Sequence, residues 1–202
     1  MAGDVRKNMI VSATLLIRER GIAGTSLADV IEHSGAPRGS IYHHFPGGKS
    51  QLAEEATRWA GTVINRKLRT AANDPVALVR MLFSFWRKEM GSEFGISCAV
   101  LAAALADDES PEAHQAAAEA LVRWTEIITE VLTDQGIPTE RAYPVATLIV
   151  SAIEGAVVMA RAQRTFQPLD RVETELVRLL NHLLPTAPDP TPAVSTPARS
   201  SA

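Results

Sequence analysis

Residues 25–52 read TSLADVIEHSGAPRGSIYHHFPGGKSQL, and the spacing within this stretch decides how the whole chain is read. Ser26, followed three residues on by Asp29, is a capping pair for a helix start, because each side chain can satisfy a backbone N–H that a first turn leaves free. Leu27, Val30 and Ile31 then form the buried stripe of a short helix that Gly35 ends, since glycine accepts the left-handed conformation at a helix terminus. The next helix begins at about Pro37, where a missing N–H is tolerated, and runs to about His44. Phe45-Pro46-Gly47-Gly48 interrupts the chain again. Two short helices joined by a tight glycine turn make a helix-turn-helix, whose second helix can enter the major groove of duplex DNA.

Within that second helix Ile41 faces inward, which leaves Arg38, Gly39, Ser40, Tyr42 and His43 outward after the opening Pro37. Arg38 can make a bidentate bond to guanine O6 and N7, Ser40 can donate or accept, and Gly39 lets the backbone come close. Tyr42, His44 and Lys49 suit phosphates. Thr25 and Ser26 lie at the start of the preceding helix, where free N–H groups and the helix dipole favour an anionic oxygen. These ten residues are the expected DNA-binding set.

The chain of 202 residues has 46% hydrophobic and 21% charged residues, the composition of a globular protein of one large or two small domains. No run approaches the roughly 20 apolar residues of a membrane-spanning helix, and MAGDVRKNMI lacks the apolar core of a signal peptide, so a cytoplasmic protein with no membrane partner is expected. The single cysteine, Cys98, excludes an internal disulfide and a cysteine-rich zinc site. The net charge of −3 hides an asymmetry: residues 1–50 hold six Lys/Arg against four Asp/Glu, and the rest fourteen against nineteen. A phosphate backbone therefore belongs at the N-terminal end.

Hydrophobic residues recur with a helical period along the rest of the chain, and no hairpin signal interrupts them, so the fold is expected to be all-α with about nine helices. The first covers roughly 4–20, with Met9, Ile10, Ala13, Leu16 and Ile17 on one face and Gly21 at its end. The fourth covers roughly 49–69, and later ones roughly 75–91, 96–106, 111–135, 141–164 and 170–184. Pro111 and Pro144 are expected in first turns. Residues 185–202 hold five of the twelve prolines and are expected to be a flexible tail.

The stretch Thr25–Leu52, above all GAPRGSIYHHF over Gly35–Phe45 and the PGGK turn after it, resembles the signature of TetR-type transcriptional regulators. GISCAVLAAALADDESPEAHQAA is similar to the LmrA/YxaF-like branch. One departure is Ile31, where the family usually places alanine four residues before the turn glycine. The resemblance implies a helix-turn-helix DNA-binding domain over 1–50, joined by the fourth helix to a ligand-binding and dimerisation domain over 51–184. It implies a homodimer, built on the last two helices, that binds a palindromic operator in double-stranded DNA, most simply as a repressor released by a small, mostly apolar effector. Ala146, Ser151, Ala152, Gly155, Ala156 and Ala160 in the eighth helix fit close helix packing.

An effector cavity in the body would draw on Phe83, Trp86, Met90, Cys98, Leu101, Trp124, Ile128 and Met159, although aromatic and methionine stripes at helical spacing are more often core. Glu154 stands in the apolar run LIVSAIEGAVVMA as either a dimer-interface residue or the polar handle for a ligand. Gly47-Gly48-Lys49-Ser50 imitates the end of a phosphate-binding loop, but the pattern needs glycine where His43 stands. Adjacent His43 and His44 point apart on a helix, unlike a metal-binding pair. Cys98 reads as a packing residue, and His33, His114 and His182 as solvated. No catalytic site, metal site or cofactor is expected. A helical-bundle enzyme or a protein-binding adaptor that uses the C-terminal cavity are the alternatives.

Overall fold

The computed structural model describes residues 2–184 apart from residue 72, and the expected flexible tail lies outside the described residues. Among those residues the fold is all-α, with nine helices: α1 (Ala2–Arg20), α2 (Leu27–Ser34), α3 (Ser40–His44), α4 (Gly48–Thr70), α5 (Pro75–Met90), α6 (Ala99–Ala104), α7 (Pro111–Asp134), α8 (Thr139–Gln163) and α9 (Gln167–Leu183). Local chemistry sets most boundaries. Ser26 Oγ accepts from the Asp29 N–H at 3.1 Å while the Asp29 carboxylate accepts from the Ser26 N–H at 2.8 Å, a complete capping box. Gly35 takes the left-handed conformation at φ 66, and the Ala36 N–H reaches back to the Ile31 carbonyl, closing α2. At α5 the Asp74 carboxylate caps two N–H groups, and Pro75 occupies the first turn.

Four boundaries differ from the expectation for identifiable reasons. α3 starts at Ser40 rather than Pro37, because both the N–H and the hydroxyl of Ser40 bond the Pro37 carbonyl and close a turn there. α6 covers only Ala99–Ala104, since the N–H of Ser97 is spent on the carbonyl of Arg18 and Cys98 is the cap residue. α8 starts at Thr139, which puts Pro144 beyond its first turn. α9 starts earlier too, at Gln167, with Pro168 in its opening turn.

The helices α1, α2 and α3 close around Met9, Ala13, Leu16, Ile17, Ile22, Val30, Ile41 and Phe45, each buried. α4 leaves this head with Leu52, Ala53 and Ala56 in its core and continues into the body, where it packs along α7. Their approach is close at Gly61, where a Cβ would lie 3.0 Å from that of Ala120, and the Trp124 indole donates to the Gly61 carbonyl at 3.3 Å. α7 packs on α8, α8 on α9 and α9 on α5, and α6 is held among α1, α4 and α7. The expectation that no run is apolar enough to span a bilayer is corrected at α8, which passes by length and composition. Its apolar character has a packing cause. One face buries Val145, Ile149, Ile153 and Val157, and another leaves Tyr143, Leu148, Val158 and Met159 exposed.

Candidate nucleic-acid interface and effector cavity

The helix-turn-helix presents one exposed edge. Pro37, Arg38 and Gly39 are exposed in the turn before α3, Tyr42 and His43 are exposed on it, and Ser40 and His44 are half-buried. Ile41 and Phe45 anchor this segment from beneath, at 1% and 0% exposed. Arg38 therefore stands just before the recognition helix, at the end that approaches base edges in this motif. Lys49 is exposed in the first turn of α4, and its Nζ donates to the Ala23 carbonyl at 3.3 Å, tying that turn to the loop before α2. Thr25 is turned inward: it is buried, and its hydroxyl donates to the Gly21 carbonyl at 2.8 Å. Ser26 is exposed, and its hydroxyl also donates to Asp29 at 2.7 Å. Those bonds hold the Asp29 carboxyl below its ordinary range, with Arg20 and Lys49 adding to the effect.

Head and body meet at the C-terminus of α1, whose last carbonyls need partners from outside the helix. Ser97 donates its N–H and its hydroxyl to the Arg18 carbonyl at 3.0 and 2.9 Å. The Arg18 guanidinium donates to the Ser97 carbonyl at 3.1 Å and to Glu89 at 2.7 Å. From α8, Arg161 reaches the Glu19 carbonyl. None of these partners is visible in local spacing, and sequence reasoning missed them.

The nine residues expected around an effector do not share one cavity. Leu101, Glu154 and Met159 line a cleft of about 700 Å³ between α7 and α8, together with Leu121, Thr125, Tyr143, Val150 and Ser151. Trp86, Trp124, Ile128 and Glu154 border a crevice of about 20 Å³ in the core beside it. Cys98, Trp86 and Trp124 border a third space of about 290 Å³, under Arg18 and Lys67 at the head–body junction. Phe83 and Met90 are core residues that line none of these three. Met159 departs from the core reading, with 49% exposure on α8. His114 departs from its solvated reading: it is half-buried, and its Nδ1 lies 3.0 Å from the Ala104 carbonyl.

Glu154 is 8% exposed, and its Oε2 has no hydrogen-bond partner. Burial pushes its carboxyl up to about 7, with the Cys98 thiol pulling weakly the other way. Burial, together with the nearby Glu154, raises the Cys98 thiol well above its ordinary range, which keeps it protonated and unreactive. Glu154 thus faces a large apolar space with an unmet polar atom.

Comparison with known proteins bears on both halves of the chain. Residues 10–56 match the family model for bacterial regulatory proteins of the tetR family, and residues 75–175 match that of the C-terminal domain of LmrA/YxaF-like transcriptional regulators. The chain is similar to an uncharacterized HTH-type transcriptional regulator of Mycobacterium tuberculosis, with 38% identity covering 89% of this chain and 96% of the relative. It is also similar to the HTH-type transcriptional regulator LmrA of Bacillus subtilis, at 31% identity over 88% of this chain and 97% of that one. Among solved structures, a TetR transcriptional regulator from Chloroflexus aurantiacus shares the fold, with a TM-score of 0.76 and 24% identity over 91% of this chain and 97% of that one.

Proposed function

The chain belongs to the TetR family of bacterial transcriptional regulators, and on that premise we propose that it is a cytoplasmic repressor that binds a palindromic operator as a homodimer and leaves it when a small, mostly apolar effector enters the body. The family is one of regulators rather than enzymes. The observation that carries the reading is the exposed edge from Pro37 to His43, with Arg38 at its tip, seated on a buried Ile41–Phe45 base in the less acidic part of the chain. An exposed arginine beside a short helix held rigidly is the arrangement that reads guanine in a major groove. Tyr42, His44, Lys49 and Ser26 flank it as phosphate contacts, and Thr25 supports them from within.

A short recognition helix reads only a few base pairs, so a two-fold dimer that sets two of them roughly 34–36 Å apart, or a multiple of that, makes a longer palindromic site readable. The part of the exposed α8 face outside the α7/α8 cleft, at Leu148, with α9 beside it, supplies the dimer contact. Release then follows from a shift of population. An effector that favours the form whose recognition helices miss the operator spacing lowers DNA affinity by its own difference in affinity for the two forms, typically about 1–3 kcal/mol.

The test is fluorescence anisotropy of the purified protein against the DNA flanking its own gene, with a scrambled duplex as control, at physiological salt. Preference for the flanking DNA by about a thousandfold or more is expected. Equal affinity for both duplexes, in protein shown by mass spectrometry to carry no bound small molecule and tested across the full flanking sequence, would refute specific regulation at that locus.

A further inference from the structure

Glu154 is the only buried Asp, Glu, Lys or Arg among the described residues, and it borders both the α7/α8 cleft and the tryptophan-lined crevice behind it. A carboxyl held away from water without a partner costs free energy that an aliphatic residue in the same place would not. Here one oxygen is left unmatched, and the open space next to it has walls of Leu101, Leu121, Val150 and Val158. The cleft lining contains no Lys, Arg or His, so an acidic ligand finds no counter-charge there. A neutral apolar ligand leaves Glu154 as unmatched as before. A second copy that docks the middle of its own α8 brings no cation either, because residues 144–160 contain no Lys or Arg and the two arginines of that helix, Arg141 and Arg161, stand at its ends.

We propose that the α7/α8 cleft takes an apolar amine, whose ammonium pairs with the Glu154 carboxylate while its hydrocarbon body lies against the apolar wall. This rests on the reading of the body as the effector-binding part of a regulator and names the chemical class of that effector. Thr125 and Ser151 line the same cleft and offer hydroxyl oxygens to the remaining ammonium protons. The ammonium's charge opposes the burial that holds the carboxyl protonated, so at neutral pH the amine binds with release of part of a proton.

The test uses three probes with one ring system, 1-naphthylmethylamine, 1-naphthylmethanol and 1-naphthoate, titrated calorimetrically into the full chain at pH 7.5. The amine is expected to bind at least about tenfold tighter than the alcohol, with the carboxylate weakest. Its apparent heat should vary with the ionisation enthalpy of the buffer, which reports the released proton. In E154Q the three affinities should draw together while that for the alcohol holds. The probe series on the unaltered chain decides the matter even where the variant folds poorly. Preference for the alcohol or the carboxylate, equal binding of all three, or binding of none overturns the proposal. DNA binding is read separately by duplex titration. Loss of specific DNA binding would sink the regulator reading and leave the head-group preference standing, whereas indifference to head-group charge would sink only the present inference.

Discussion

Ser97 and Arg18 hold each other in both directions: Ser97 donates its N–H and hydroxyl to the Arg18 carbonyl, and the Arg18 guanidinium donates to the Ser97 carbonyl at 3.1 Å. One residue lies in the last turn of a head helix and the other opens the body segment that leads through Cys98 into α6, so these bonds are the contact through which a shift of α6 would reach α1. Arg18→Met keeps an unbranched apolar stem but removes the guanidinium's bond to the Ser97 carbonyl and its pair with Glu89, leaving the two bonds from Ser97 to the residue-18 carbonyl in place. Hydrogen bonds to charged groups contribute about 1.5–3 kcal/mol, and a stability loss of that order is expected in urea unfolding. The more specific expectation concerns coupling. The amine should still bind, but should lower DNA affinity less than in the parent protein. Unchanged coupling in a folded Arg18→Met chain would show that the signal takes another route.

Arg38 and Lys49 are both exposed cations of the head, yet they should fail differently. Arg38→Ala removes the group proposed to read a base, an exposed side chain with no hydrogen bond or ion pair among the described residues, so it should cost about 1–3 kcal/mol on operator and little on scrambled duplex. Lys49→Ala should weaken both duplexes alike and reduce the salt slope by about one. It also removes the bond to the Ala23 carbonyl, an exposed contact whose loss should change stability by less than about 1 kcal/mol. Salt titrations of both variants on both duplexes separate the roles. An Arg38→Ala protein that loses equally on each would reassign Arg38 to the phosphates.

The features legible in the sequence were those made by residues three or four apart. Ser26 with Asp29, Gly35 in the left-handed conformation and Ile41 beneath the recognition segment all follow from local backbone chemistry, and the structure has each of them. The start of α3 misled because Pro37 is suited to a first turn, while its carbonyl is more strongly claimed by Ser40 at both nitrogen and hydroxyl. Gly61 carries no local signal, since only contact with Ala120 across the interface shows why a side chain there is unwelcome. Apolar patterning placed Trp86 and Trp124 correctly in the interior, but it does not say which walls enclose a space. The cleft lies between α7 and α8 at Leu121, Val150 and Ser151, a property of two helices together.

Leu148 is 49% exposed on α8 and lines none of the three cavities described above, so it tests the dimer without touching the effector cleft. Leu148→Glu places a charge on each side of a two-fold contact, where like charges and desolvation both oppose association. The variant should run as a monomer in light scattering and bind a single half-site weakly, with its melting temperature little changed at high protein dilution. A dimer that persists would move the contact away from the outer face of α8.

Glu154 also makes the stability of the body depend on pH. Its carboxyl is raised from 4.5 to about 7, so the folded chain holds a proton that the unfolded chain releases across that interval. The folded state binds more protons there, and stability must therefore fall as pH rises from about 4.5 to about 7 and level off above it. A shift of this size corresponds to on the order of 3 kcal/mol. Glu154→Gln carries no titrating group and should flatten this part of the profile. It should be more stable than the parent at pH 8 and close to it near pH 4.5. Urea unfolding of both proteins at several pH values supplies the comparison. If the two profiles stay parallel across that window, Glu154 is already charged at neutral pH and its carboxylate is satisfied in the free protein, which would also remove the reason for an amine to bind beside it.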